Sequence, residues 1–246
     1  MVDRKTVLIT GASGDIGLSL CEGFKDEGWK VVAIDKIPLK STDVDYFFEF
    51  DLELICNEAD YCENKIREIK RVLPDGLNVL INNAALQIVK PIKEVSLKDW
   101  KRTLDTNLTA PFILSMSFLD ELKAAKGSII NISSIHARLT KPNFVAYAVS
   151  KSGLLGMTKS LAVEIGRMVR VNSISPAAIN TKMLEDGFTD NSEGLKNLAD
   201  YHPSKSIGFT KDVFDAAKYL AYGDKFVNGV DITLDGAISS RLHDPS

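Results

Sequence analysis

The sequence predicts a doubly wound α/β domain built on a seven-stranded parallel sheet flanked by helices. Short apolar runs alternate with longer amphipathic stretches, a glycine-rich turn follows the first run directly, and hydroxyl and amide residues fall just past the ends of later runs. A chain of 246 residues with 45% apolar and 26% charged side chains can bury one substantial core, so residues 1–246 are read as a single unit.

The strands are expected at residues 7–10, 30–34, 46–50, 78–81, 128–132, 169–174 and 230–234, each a run of strand length rich in Val, Ile, Leu or Phe. The stretches between them carry helical periodicity, as in Leu97, Trp100, Leu104, Leu108, Phe112, Met116 and Leu119. Such a stripe can face the core or a second subunit. Residues 177–208 lack a clear period and are rich in Asn, Asp, Ser, Gly and Lys. Long connections after a strand end often cover a site, so this stretch is read as an irregular substrate lid.

Composition excludes several classes. The net charge of −3 and the scattered Lys and Arg give no footprint for nucleic acid. No apolar run reaches membrane-spanning length and no hydrophobic segment follows the first residues, which points to a cytoplasmic protein without a membrane partner. Three cysteines without C-x-x-C spacing, and His136, His202 and His243 dispersed along the chain, suggest neither a disulfide framework nor a metal site.

Thr10-Gly-Ala-Ser-Gly-Asp-Ile-Gly17 opens an amphipathic helix straight after the first strand. Glycines let the backbone approach a pyrophosphate, and the helix start supplies amide donors, so Gly11, Ser13, Gly14, Asp15, Ile16 and Gly17 are candidate dinucleotide contacts. A plain tight turn capped by Ser13 or Asp15 is the simpler explanation. Asp35, eighteen residues beyond Gly17 at the end of the second strand, favours a dinucleotide. A carboxylate there accepts ribose hydroxyls and repels a 2′-phosphate, which selects NAD over NADP. Lys36 beside it works the other way.

The pattern Y-x-x-x-K occurs three times, at Tyr61, Tyr147 and Tyr201. The first lies in a charged helical stretch and the third contains Pro203, so both read as surface features. Only Tyr147 follows a strand that ends in hydroxyls, Ser133 and Ser134. Tyr147 and Lys151 share one helix face, where an ammonium could lower the phenol's pKa towards neutrality. Pro111, four residues after Asn107, lacks the N–H that would bond the Asn107 carbonyl, which is therefore expected to be free.

In this order, the glycine turn, Asp35, Ser134, Tyr147 and Lys151 resemble the short-chain dehydrogenase/reductase family, in its short single-domain branch. Asp51-Leu52, Asn82-Asn-Ala-Ala85, Asn107, Ser175-Pro-Ala-Ala-Ile-Asn-Thr181 and Val230-Asp-Ile-Thr-Leu-Asp-Gly236 extend the likeness over nearly the whole chain. The resemblance implies a Rossmann-like fold, NAD as cofactor and a homotetramer or homodimer formed through long helix pairs. It implies that Asp51 and Leu52 meet the adenine, that Asn83, Ala84 and Ala85 line the ribose side, and that Ile179 and Thr181, with Pro176 ahead of them, hold the nicotinamide. Two departures stand out. Gly14 precedes Asp15 where the short branch has a glycine, a spacing similar to that of the family's extended, often sugar-modifying branch; Asp15 is expected to face solvent. Ala85 replaces a glycine and would be strained if its φ were positive.

The implied reaction is hydride transfer between NAD and a small to medium secondary alcohol or carbonyl. Tyr147 would act as general acid/base, Ser134 orienting the oxygen, Lys151 supplying the field and Asn107 holding a relay water. His136, Leu139, Lys182, Met183, Leu184, Phe188, Tyr201 and His202 are candidate substrate contacts, with His136, Met183 and His202 put forward first. A non-catalytic NAD-binding regulator, and a dehydratase or epimerase of a sugar derivative, remain as alternatives.

Overall fold

A computed structural model describes residues 4–39, 43–186, 188 and 192–242. His243 and part of the expected lid, Gly187 and residues 189–191, lie outside the described residues.

Seven parallel strands form one sheet: β1 (Thr6–Thr10), β2 (Lys30–Asp35), β3 (Tyr46–Glu49), β4 (Val79–Asn82), β5 (Ser128–Ile132), β6 (Arg170–Pro176) and β7 (Asp231–Leu234). Their order is β3-β2-β1-β4-β5-β6-β7, so the winding reverses between β1 and β4. The central strands bury both faces, which is why they read as continuous apolar runs. Alternate residues feed two cores. Leu8, Val32, Leu80, Ile129 and Val171 pack towards α3 (Ala59–Lys70), α5 (Ala110–Ser117) and α7 (Val145–Ile165). Val7, Ile9, Ala33, Ile81, Ile130 and Ile174 pack towards α1 (Asp15–Asp26) and α10 (Thr210–Tyr222).

Four short helices complete the series used below: α2 (Leu52–Ile55), α4 (Leu97–Leu104), α6 (Leu119–Ala124) and α8 (Lys182–Asp186), with α9 (Ser192–Tyr201) following. Strand positions match the expected ones within two residues at either end. The expected lid is not irregular, because α8 and α9 occupy much of it. Thr181 starts α8 by accepting the Leu184 amide on its hydroxyl at 3.3 Å, a local side-chain cap that a count of polar residues hides. Among the described residues no helix is long and apolar enough to cross a membrane.

The α1–α10 pair is fastened by Phe24, which is fully buried and meets Trp29 and Phe214 edge to face at ring separations of 5.0 and 5.4 Å. Phe24→Ala should cost about 3–5 kcal/mol of stability, read as a lower midpoint in urea unfolding at unchanged slope.

Candidate active site

Parallel strands carry all their C-terminal ends to one edge of the sheet, and the predicted residues collect there. At the reversal point, Thr10 and Asn83 interlock. The Thr10 hydroxyl accepts the amides of Asn83 and Ala84, both at 3.0 Å. The Asn83 side chain in turn donates to the carbonyls of Thr10 (2.9 Å) and Gly11 (3.0 Å). The glycine turn is packed against that clamp. Gly11 has φ +65°, and a Cβ on it would lie 2.7 Å from the Ala84 Cα; a Cβ on Gly17 would lie 2.0 Å from the Gly11 carbonyl oxygen. Only glycine fits either position, and the bare helix start beyond them is a cradle that suits a pyrophosphate.

Neither Ser13 nor Asp15 caps α1, whose N-cap is Gly14 without a side-chain bond. The Ser13 amide donates to Asp35 at 2.9 Å and its hydroxyl donates to the Ile37 carbonyl at 2.6 Å. With the Ile37 amide at 3.0 Å, both Asp35 oxygens are held at the end of β2 and keep lone pairs for ribose hydroxyls. Lys36 is exposed beside it, and its charge helps to hold the Glu53 carboxyl below the usual range, after the larger effect of the Arg102 hydrogen bonds. Asp15 is exposed, as expected, yet also engaged: its carboxylate accepts the Lys182 amide at 2.6 Å. The turn is thereby tied to the first residue of α8, a long-range contact that no local pattern announces.

Asp51 caps α2 by accepting the Glu53 amide at 2.8 Å, with Leu52 buried behind it. The Asp51 amide donates to the Tyr61 hydroxyl at 2.9 Å, and Tyr61 stacks on Phe50. Tyr61 is therefore a structural prop rather than the expected surface feature, because its ring faces the apolar side of α3. Tyr201 is exposed. Ala85 has no positive φ, so it carries none of the strain its position suggested.

Pro111 does disturb its helix: residues Asp105–Thr109 form a π-helical turn between α4 and α5. Asn107, fully buried in that turn, clamps the chain beyond β4. Its side chain accepts the Leu86 amide (2.7 Å) and donates to the Leu86 carbonyl (3.0 Å) and to the Ser150 hydroxyl (2.9 Å). Ser150 donates onward to the Tyr147 carbonyl at 2.7 Å. The sequence reading missed Ser150 and Thr10. The Ser150 signal was its place three residues after Tyr147, where a helical serine can bond back to the preceding turn.

Tyr147 and Lys151 lie on the buried face of α7, 7% and 1% exposed. Ser134, also buried, accepts the His136 amide at 3.2 Å, and its hydroxyl acts on the Tyr147 phenol to lower its pKa. The Lys151 ammonium donates to the Ile132 carbonyl at 2.7 Å and stands 5.7 Å from the Tyr147 ring centre. The expected lowering of the phenol's pKa does not occur in this state. Burial pushes Tyr147 up to about 12, with Ser134 pulling the other way, and burial pushes Lys151 down to about 7. Desolvation by burial is the largest effect on both groups.

His136 stands at this wall, stacked on Phe144 (4.4 Å, 11°) and edge-on to Tyr147 (5.8 Å). Its Nδ1 is 2.9 Å from the Thr140 hydroxyl, and burial, then the Lys141 charge, brings its pKa down to about 4. Leu139 is exposed in the same loop. His202 is not part of the cluster. It is buried with Nδ1 donating to the Leu198 carbonyl at 2.9 Å, close to Gly236, since the last turn of α9 folds it inward. Pro176 ends β6 and is buried with Ile179; Thr181 and the half-exposed Met183 follow at the start of the expected lid.

A family model described as short chain dehydrogenase matches residues 5–192. The chain is 32% identical over 246 residues to 3beta-hydroxysteroid dehydrogenase 1 of Eggerthella lenta, covering 96% of this chain and 94% of that one. Among solved structures it is similar to the ligand-free aldohexose dehydrogenase of Thermoplasma acidophilum, with TM-score 0.91, 28% identity and coverage of 99% and 97%. It is also similar to a 4-hydroxyisoleucine dehydrogenase complexed with NADH, with TM-score 0.87, 28% identity and coverage of 97% and 100%.

Two outcomes follow from the geometry. Gly17→Ala should abolish dinucleotide binding in a titration of NADH fluorescence, since the added methyl must displace the turn. Lys151 carries a folded pKa below its unfolded one, so its burial costs stability most fully below about pH 7, and the cost eases as pH rises towards the unfolded value. Lys151→Met should therefore raise the melting temperature at pH 6, by a margin that shrinks at higher pH.

Proposed function

The chain belongs to the short-chain dehydrogenase family, and on that premise we propose that it moves a hydride between NAD and a small to medium secondary alcohol or its carbonyl, Tyr147 carrying the proton. The observation that supports this best is the buried group at the end of β5: Tyr147 and Lys151 one turn apart on α7, with Ser134 buried beside them. A binding protein has no use for a desolvated phenol beside a desolvated amine. The bound dinucleotide supplies the hydride acceptor or donor.

The residues of the chain do the rest. Gly11, Ser13, Gly14, Ile16 and Gly17 offer backbone to the pyrophosphate. Asp35 takes the ribose hydroxyls, and its fixed carboxylate disfavours the extra phosphate of NADP. Asp51 and Leu52 border the adenine, Asn83, Ala84 and Ala85 the ribose, and Pro176, Ile179 and Thr181 the nicotinamide. Ser134 orients the substrate oxygen, and Tyr147 takes or returns its proton. Lys151 supports the charged phenol. Asn107, rigid in the π turn, positions Tyr147 through Ser150 and offers its carbonyl to a relay water. Residues 177–208 serve as a lid whose base is held to Asp15.

Leu97, Phe112 and Met116 are exposed rather than buried in the core, which supports a contact face for a homotetramer or homodimer. Light scattering should find an assembly larger than one chain.

Tyr147→Phe should lower kcat by about 10²- to 10⁴-fold while NADH binding stays within a few-fold of wild type. Wild-type turnover in that variant would refute the role of the phenol. Asp35→Ala should weaken NAD and relieve the discrimination against NADP by about tenfold or more, measured as the ratio of the two kcat/KM values.

A further inference from the structure

We infer that the substrate carries a carboxylate or an equivalent anionic group and that Lys141 reads it, an inference that rests on the dehydrogenase reading and names the substrate class for the same site. Lys141 lies in the loop between Ser134 and α7, the wall that carries the two hydroxyls. Its Nζ stands 5.0 Å from the Phe144 ring centre and 5.5 Å from that of Phe188, so it bridges the wall and the lid stretch. Phe144 stacks on His136, and both rings meet the ring of Tyr147, at 6.3 and 5.8 Å. One layer of aromatic rings therefore separates this cation from the phenol that handles the proton.

Lys141 makes no ion pair among the described residues, whereas Arg138, three residues earlier, is held by the Asp231 carboxylate at 2.8 Å. Contact with ring faces orients an ammonium without cancelling its charge. His136 is no substitute: burial and the nearby Lys141 keep its imidazole neutral at pH 7, suited to a hydrogen bond with a hydroxyl or carbonyl and not to an ion pair. Among the described residues, the wall thus presents one cation without an ion pair, one neutral imidazole and two hydroxyls. A hydroxy acid with a chain long enough to pass the ring layer meets all of them, its carboxylate on Lys141 and its alcohol carbon towards Ser134 and Tyr147.

The test pairs hydroxy acids of increasing chain length with their methyl esters and follows NADH formation by wild-type enzyme, Lys141→Met and Lys141→Arg. Wild type should favour acid over ester by at least about tenfold in kcat/KM, the weight of one charge-assisted hydrogen bond, and Lys141→Met should collapse that ratio while Lys141→Arg keeps most of it. In parallel, malonate is titrated into the NADH-loaded proteins and followed by nicotinamide fluorescence; Lys141→Met should bind it about tenfold or more weakly. An acid-to-ester ratio unchanged by Lys141→Met, as expected if Lys141 only fastens the lid, would overturn the inference, and so would equal malonate binding. Lack of turnover with every compound would instead refute the dehydrogenase reading, and the malonate titration would still decide whether Lys141 holds an anion.

Discussion

The interlock of Thr10 with Asn83 is the contact on which the site depends. β1 and β4 are neighbours from which the chain winds outwards in opposite directions, and their ends must part to leave a crevice. Four hydrogen bonds across that parting hold the glycine turn and the chain beyond β4 in one rigid piece. Gly11 can then press against Ala84 with no room for a side chain, and the chain runs on to Leu86, where Asn107 takes hold. From Asn107 the connection continues through Ser150 to Tyr147. The glycine turn and the phenol are thus joined mostly by bonds to backbone atoms, with one buried side-chain link between Asn107 and Ser150.

Burial and charge oppose each other at the phenol. Water removed from Tyr147 and Lys151 raises one pKa and lowers the other, so burial works against the charged form of each. That cost is the kind that a functional site retains and a purely structural one sheds. A positive nicotinamide ring next to the phenol would act against desolvation, as a helper that this chain does not itself provide. On the proposed mechanism, the proton chemistry would in this way be coupled to occupancy by the oxidised cofactor.

Much of this was legible in the sequence because the physics behind it is local. A doubly buried parallel strand needs an unbroken apolar run, and all seven runs were found. The spacing of Tyr147 and Lys151 on one helix face, and the effect of Pro111 on the turn around Asn107, also follow from neighbours in the chain. What escaped depends on distant partners. The bond from Asp15 to the Lys182 amide joins residues remote in sequence, and the Tyr61 bond to Asp51 needs α3 folded back on β3. His202 looked like a cleft residue until α9 turned it inward, and the pKa of Tyr147 was misjudged because a nearby charge is visible in a motif whereas depth of burial is not.

The central claim is that burial raises the proton affinity of the Tyr147 phenol and that the oxidised dinucleotide lowers it again. It is tested most directly by following the ring-carbon NMR signal of Tyr147 against pH, with and without saturating NAD. The account predicts titration near 12 in the free protein and a proton affinity lower by about tenfold or more in the complex. The same titration curve in both states, or a phenol already ionising near neutrality in the free protein, would contradict it.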